Sequence, residues 1–446
     1  MFKLGSAAAA AGSDLGGEMY RFISELYPIC RSITGEGFRE TLRLIQKHIP
    51  LTIHEVPSGT RVFDWTVPRE WNIRDAYIKN ARGERIVDFK KCNLHVISYS
   101  IPIHRTIPFQ ELKEHLYTLP DHPDWIPYRT SYYKDNWGFC LTHRQMVDMQ
   151  EEAYEVCIDT SFKEGHLSYG ECCIPGKTSD EILVSCHACH PSLCNDNLSG
   201  IAVTTWLAKV LAGRPSQYSS RFLLIPGTIG SITWLALHEK ELAKIKHGFV
   251  VTGVGDAGAY TYKRSRRGDA EVDRAFVHVM QHCQQDYRII DFFPYGYDER
   301  QYCSPAFNLP VGCFMRTRHG TYPQYHTSAD NLDFVQAQSL EGSFNLCLAA
   351  INVLQNNQRF QNQAPKCEPQ LGKRGLYRAI GAQATEAVHE LALLWVLNMS
   401  DGMNSLLDIA DRAGIPFDRI HHAAKLLTEH GLLKELSLYA GSGGES

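Results

Sequence analysis

The sequence predicts an α/β fold: a mixed, mostly parallel sheet flanked by helices, with an inserted β-rich domain and a C-terminal winged-helix domain. Three observations point there. Short continuous apolar runs, Glu181–Cys186, Arg221–Pro226 and His247–Val254, are interrupted by helical patterns, as in a sheet buried on both faces. Between about Glu55 and Tyr154 the composition shifts to prolines, tryptophans and short alternating stretches. Beyond Pro365 two short helical patterns flank a Gly-Ile-Pro turn.

Residues 1–17 read as a leader or disordered tail. They hold the charge and five alanines of a signal peptide but no apolar centre. From Gly17 to about His54 apolar residues recur at helical spacing, in Met19–Tyr27 and again in Thr41–Ile49. Leu94–Ser100 alternates like a strand. Ser199–Leu211 reads as a helix, with Ile201, Val203, Trp206, Leu207, Val210 and Leu211 apolar. In the tail Glu386–Asn398 is helical. Ser405–Ala413 and Phe417–His430 form the helix-turn-helix pattern, and Gly431–Lys434 starts a wing. The expected domains are therefore 18–54 with 155–364, an insert at 55–154, and a tail at 365–446.

At 446 residues the chain exceeds one compact core. A net charge of −4 calls for no nucleic-acid or membrane partner, and no apolar run approaches the roughly 20 residues of a membrane helix. Asp418–Lys425 in the second tail helix carries two fixed positive charges against one negative. That favours a protein contact or a structural role over DNA binding. The fourteen cysteines read as buried thiols of a cytoplasmic protein. Cys186 and Cys189 have the spacing of a zinc half-site, but no second pair follows.

Chemistry concentrates where strands end. His187 closes one strand, Asp196 opens the helix after it, and Asp256 follows a third strand. Ligands of such sheets sit at the strands' carboxyl ends. His326 lies in a later polar loop. Imidazoles and carboxylates converging on one point are a zinc donor set. Each also has an ordinary reading: Asp196 as a helix cap, Asp256 as a turn residue, His190 as a hydrogen-bonded loop histidine.

The order His187, then Asp196-Asn197-Leu198-Ser199-Gly200, then Asp256, then Tyr325-His326-Thr327-Ser328-Ala329-Asp330-Asn331 resembles the M28-type zinc aminopeptidases. Within them it most resembles the bacterial DUF4910 aminopeptidase-like proteins, which carry an inserted DUF2172 domain and a winged-helix tail. Gly59–Trp65 and Gly296–Tyr302 extend the match, which runs from Gly17 to Leu433. The resemblance implies that His187, Asp196 and Asp256 hold one zinc ion, with Asp196 bridging where there are two, and that His326 holds the second. It places Asp298 and Glu299 near the substrate's amine, as the catalytic candidates.

The chain departs from that pattern at one decisive place. M28 enzymes carry two adjacent glutamates after the second strand, one a base and one a ligand. Here Pro226-Gly227-Thr228-Ile229 stands instead. Cys189 replaces a further aspartate, which makes His190 a substitute ligand and Glu299 or Glu171 a base acting through water. The leading expectation is a zinc-dependent hydrolase, an aminopeptidase or small amidase, acting on a peptide or small molecule with one or two zinc ions. The alternatives are zinc-dependent amide or acyl chemistry on a carbohydrate or secondary-metabolite precursor, and a non-catalytic ligand-binding or regulatory protein. A sugar substrate would favour a cleft lined by the insert's aromatics, among them Trp65, Trp71, Trp125, Tyr132, Tyr133 and Trp137, although core packing of a β-domain is the more ordinary reading of such residues. The insert and tail leave room for homo-oligomerisation.

Overall fold

The computed structural model describes residues 14–376 and 384–436. Residues 1–13 of the expected leader lie outside the described residues. The chain divides into two compact units, Met1–Ala270 with Asp286–Asn345, and Glu271–Gln285 with Leu346–Ser446.

The first unit is organised by an eight-stranded sheet. In chain order its strands are β1 (Thr52–Pro57), β2 (His166–Ile174), β3 (Glu181–His187), β4 (Ser219–Ile225), β5 (Ile245–Val251), β6 (Tyr260–Lys263), β7 (Tyr287–Ile290) and β8 (Val311–Met315). They lie side by side as β1-β2-β4-β3-β5-β8-β6-β7. The central four, β4, β3, β5 and β8, run parallel, and antiparallel pairs join them to β2 and β6. The mixed α/β class is thus the observed one. Every residue of β3 and β8 is buried, which is why Glu181–Cys186 reads as an apolar run rather than an alternation. Helices α1 (Leu15–Leu26), α2 (Glu36–Gln46), α3 (Gly200–Leu211) and α4 (Ile229–His238) belong to this unit. Asp14 caps α1 by accepting from Gly17 N at 2.9 Å, so the helix begins inside the stretch read as leader. The helical pattern read up to His54 ends earlier, at Gln46, and Thr52–Pro57 pairs as a strand with β2.

Between β1 and β2 the chain builds a four-stranded antiparallel sheet, ordered Arg85–Asp88, Glu70–Lys79, Ala153–Lys163, Ile103–Pro108. Its core includes Ile78, Val87, Leu112, Phe139, Leu141, Tyr154 and Val156. Ala153–Lys163 runs across residue 154 and hands the chain directly to β2. Leu94–Ser100 is not the strand its alternation suggests. It forms a 3-10 turn at Asn93–His95 and isolated bridges at Val96 and Ser98. All seven residues are buried, and Tyr99 takes a left-handed φ of 69°, which a pleat does not accommodate.

In the second unit Arg359–Asn362 pairs antiparallel with both Asp401–Ser405 and Leu433–Glu435. Helices Ala384–Met399, Leu406–Ala413 and Phe417–Glu429 accompany this small sheet as a winged helix. Ser405 and Asp408 form a capping box at the first recognition-type turn, and Gly414 ends that helix at φ 63°. His278 ties helix Glu271–Gln281 to this unit. Its Nδ1 lies 2.7 Å from Asp411, and its Nε2 accepts from Phe417 N at 3.0 Å.

Hydrogen exchange offers a local test. Replacing the cap, Ser405→Ala, should cost about 1 kcal/mol of amide protection across Leu406–Ala413. Unchanged protection would show that the capping box is dispensable.

Candidate metal centre

Three parallel strands deliver the chemistry to one edge. β3 ends on His187, β4 leads into Gly227-Thr228, and β5 leads to Asp256. These strands are neighbours in the order β4-β3-β5, so their carboxyl ends share one crevice. Asp196 does not cap a helix. It lies in the irregular turn Cys194–Ser199 that precedes α3, and its carboxylate turns back toward His187.

Asp196 is the hub. Its Oδ1 lies 2.8 Å from His187 Nε2 and 3.9 Å from His190 Nδ1, and its Oδ2 lies 3.0 Å from His326 Nε2. One ligand atom from each of His187, His190 and Asp196 falls within 4.8 Å of the others, a spacing that suits a metal ion. His190 Nδ1 is buried with no hydrogen-bond partner. Burial pushes that imidazole down to about 3, against the pull of Asp196, so it stands neutral with a lone pair available. Burial alone would raise Asp196, yet His190, His187 and His326 hold it well below the ordinary carboxylate range. An anionic oxygen, two buried imidazoles and one unpaired nitrogen form a donor set that zinc accepts.

The hub is held from behind. Asp330 accepts from the backbone N–H of Asn195 at 2.6 Å and of Asp196 at 2.9 Å. Burial pushes the Asp330 carboxyl up to about 8, despite those two donors. Asn195 donates to Asp256 Oδ2 at 2.9 Å. Asp256 also accepts from Gly258 N at 2.7 Å and Thr317 Oγ1 at 2.6 Å. Asp256 therefore reaches the hub through Asn195, and its carboxylate is occupied by these donors. On the far side, Arg31 is wholly buried and donates from Nε to the His190 carbonyl at 2.9 Å.

Gly227 leaves room beside His187 at the end of β4. A Cβ on Gly227 would lie 3.6 Å from His187 Cβ and 3.6 Å from Cys189 Sγ. Beside it, Asp298 Oδ1 accepts from Thr228 N at 2.7 Å and Ser231 Oγ at 2.8 Å, while its Oδ2 is buried without a partner. Burial raises the Asp298 carboxyl above its usual range, against the pull of His187, Ser231 and Thr228. A carboxylate from a different segment thus stands at the end of β4. Glu299 is placed otherwise: Oε1 pairs with Lys263 at 2.8 Å, and both side chains are wholly buried. Phe293 lies over the same ammonium at 4.1 Å. Glu171 is engaged by Arg221 and by Trp234 Nε1.

Aromatic rings wall the cluster, and sequence reading gave them no role. Tyr297 stacks on His187 at 4.4 Å, and Tyr325 stacks on His326 at 4.0 Å. Tyr128 stands edge-on to His190 and His326, each at 5.2 Å. Tyr297 and Tyr325 are sequence neighbours of Asp298 and His326, a signal that was available. Tyr128 comes from the β-rich stretch more than fifty residues upstream, and nothing local marks it.

A mixed α/β sheet thus carries a His-His-Asp cluster at the ends of its parallel strands. The chain belongs to the family described as a domain of unknown function, DUF4910, whose model matches residues 20–357. A second model, described as a winged helix-turn-helix, matches residues 358–435. A protein of Clostridium acetobutylicum named for polysaccharide biosynthesis and an aminopeptidase-like domain is 54% identical over 422 residues, or 95% of this chain and 97% of that one. A crystal structure from the same species, named as a peptidase, superposes with a TM-score of 0.90 at 53% identity. It covers 94% of this chain and 96% of its own. A zinc aminopeptidase from Bacillus subtilis shares the fold, with a TM-score of 0.56 at 15% identity over 76% of this chain and 95% of that one. Among the described residues no helix is long and apolar enough to cross a membrane, and none of the fourteen cysteines forms a disulfide.

The Lys263–Glu299 pair gives a test of what is structural here. Glu299→Ala strands a buried ammonium and should cost about 3–5 kcal/mol in urea denaturation. The apolar pair Lys263→Met with Glu299→Leu should recover most of that loss. A single variant as stable as the parent would return Glu299 to the candidates for chemistry.

Proposed function

We propose that the chain is a zinc-dependent hydrolase of an amide or peptide-like bond. His187, His190 and Asp196 would hold one ion, with His326 fixing the second oxygen of Asp196. The observation that carries this reading is the buried His190 Nδ1, unpaired beside His187 and Asp196. An imidazole nitrogen desolvated without a partner costs stability unless something binds it. Asp256, engaged by Asn195 and Thr317, serves to hold the hub. A second ion would have to draw it away from those donors.

Zinc held by His187, His190 and Asp196 would lower the pKa of a bound water and polarise a carbonyl. The remaining work falls to the chain's own groups. Asp298 is the base: Thr228 N and Ser231 Oγ fix Oδ1 and leave Oδ2 to take a proton from the attacking water and return it to the leaving amine. Tyr297, Tyr325 and Tyr128 exclude bulk water from the imidazoles and orient them. Glu299 neutralises Lys263. The name of the Clostridium relative supports an aminopeptidase-like activity and a link to polysaccharide biosynthesis.

Release of amine from aminoacyl anilides by zinc-loaded protein tests this directly. Turnover should be abolished by chelator and restored by zinc. Absence of chelator-sensitive turnover across a panel of aminoacyl and small amide substrates would overturn the reading. His190→Ala should weaken zinc binding at least about tenfold in a competition titration.

The pH profile follows from Asp298. A base must be ionised, and burial holds this carboxyl above its usual range. The acid limb of kcat/KM should therefore break above the ordinary aspartate value of about 4. Asp298→Asn should lower kcat by about 10²–10⁴ with zinc content unchanged. Near-parental kcat in that variant would place the base elsewhere.

A further inference from the structure

The aromatic residues of the β-rich stretch divide into two kinds. Trp71 is buried, Trp137 packs against the local core, and Trp125 stacks on His122. Trp65 and Tyr133 are instead 42% and 51% exposed, meeting edge-on with ring centroids 5.4 Å apart. Core packing accounts for the first group and not for the second.

The pair lines a cavity of about 620 Å³ together with Asp64, Val67, Arg69 and Glu164. Arg69 is braced by Asp135 at 3.9 Å and lies over the Phe162 ring. Asp64 and Glu164 make no ion pair among the described residues. Tyr133 is held at φ 59°, and Phe63, at the tip of the same hairpin as Trp65, at φ 58° with its ring 46% exposed. Bulky residues occupy that region only where the surroundings impose it. Burial of these rings does not offset the strain, because they are not buried.

The cavity also connects to the metal cluster through one loop. Tyr132 precedes Tyr133, and its hydroxyl lies 3.2 Å from that of Tyr128, the ring set against His190 and His326. The same segment thus presents Tyr133 outward and Tyr128 inward.

We propose that this cavity binds a saccharide, the glycosyl part of the molecule whose amide bond is processed at the metal cluster. The second half of that statement rests on the hydrolase reading; the binding itself does not. A pyranose ring offers a C–H face that packs on an aromatic ring, and hydroxyls that need donors and acceptors together. Trp65 and Tyr133 supply rigid amphipathic faces, Asp64 and Glu164 supply acceptors, and Arg69 supplies donors. A self-association surface would present a broader apolar patch without ionic groups inside it.

The test uses the full chain labelled with 5-fluorotryptophan, with Trp65→Phe assigning the Trp65 resonance among the seven tryptophans. Cellotetraose, chitotetraose and a proline-rich octapeptide are titrated in turn. The Trp65 signal should shift saturably with at least one saccharide. Tyr133→Ala, with unchanged circular dichroism, should weaken that binding about tenfold, while Tyr133→Phe should retain it. No shift with either saccharide up to its solubility limit overturns the proposal. So does a shift with the peptide alone, or one that follows protein concentration without ligand. If the saccharide shift stands while chelator-sensitive amide cleavage fails, the hydrolase reading falls and the binding site remains. If cleavage stands and the shift fails, the reverse holds.

Discussion

One buried carboxylate sets the terms for this site. Asp196 is almost fully enclosed and has imidazoles on both of its oxygens. A buried anion must be paired, and His187 and His190 from one segment with His326 from a distant loop supply that pairing. Its position is fixed by neighbours with no direct share in the cluster. Asp330 grips the backbone on either side of the Asn195–Asp196 peptide, and Asn195 passes the constraint on to Asp256. Burial is the main cause of the raised Asp330 carboxyl, and the charges of Asp196 and Asp256 add to it in a smaller way. On the proposed reading, metal binding relieves this crowding of buried charge, and the cluster's strain is then part of its affinity.

The geometry at the end of β4 resolves the tension between a peptidase-like ligand order and the missing glutamates. Gly227 leaves the space beside His187 open, and Asp298 reaches the neighbouring Thr228 from a segment seventy residues later. On the proposed reading, Asp298 supplies the carboxylate there from a later segment. Thr228 is held at φ 64° there, a strained value for a β-branched residue, and its N–H points to Asp298. Local strain beside an unpaired buried oxygen is where chemistry is expected.

Much of this was legible in the sequence, for identifiable reasons. The parallel core showed itself because both faces of β3 are buried, which leaves an apolar run at Glu181–Cys186. His187 at a strand end and Asp196 in the next turn could be read from the sequence, whereas Asp256 reaches them only through Asn195. Leu94–Ser100 misled because alternation signals a half-exposed strand, whereas this segment is buried on all sides. Tyr128 was illegible because its role arises from contact with His190 and His326, far away in sequence. Asp298 and Glu299 were indistinguishable as adjacent acids. Only the three-dimensional placement of Lys263 beside one and Thr228 beside the other separates them.

The β-rich stretch is thus more than an appendage on the first unit. It contributes Tyr128 to the cluster and carries Trp65 and Tyr133 on its own surface, so on the proposed readings one continuous segment serves both the cluster and the saccharide cavity. The central claim remains the metal site, and zinc-edge anomalous diffraction from zinc-soaked crystals addresses it most directly. A single strong peak at coordination distance, about 2.0–2.2 Å, from His187 Nε2, His190 Nδ1 and the Asp196 carboxylate is the expected result. No peak there, or one confined to Asp256 and His326, would contradict the account.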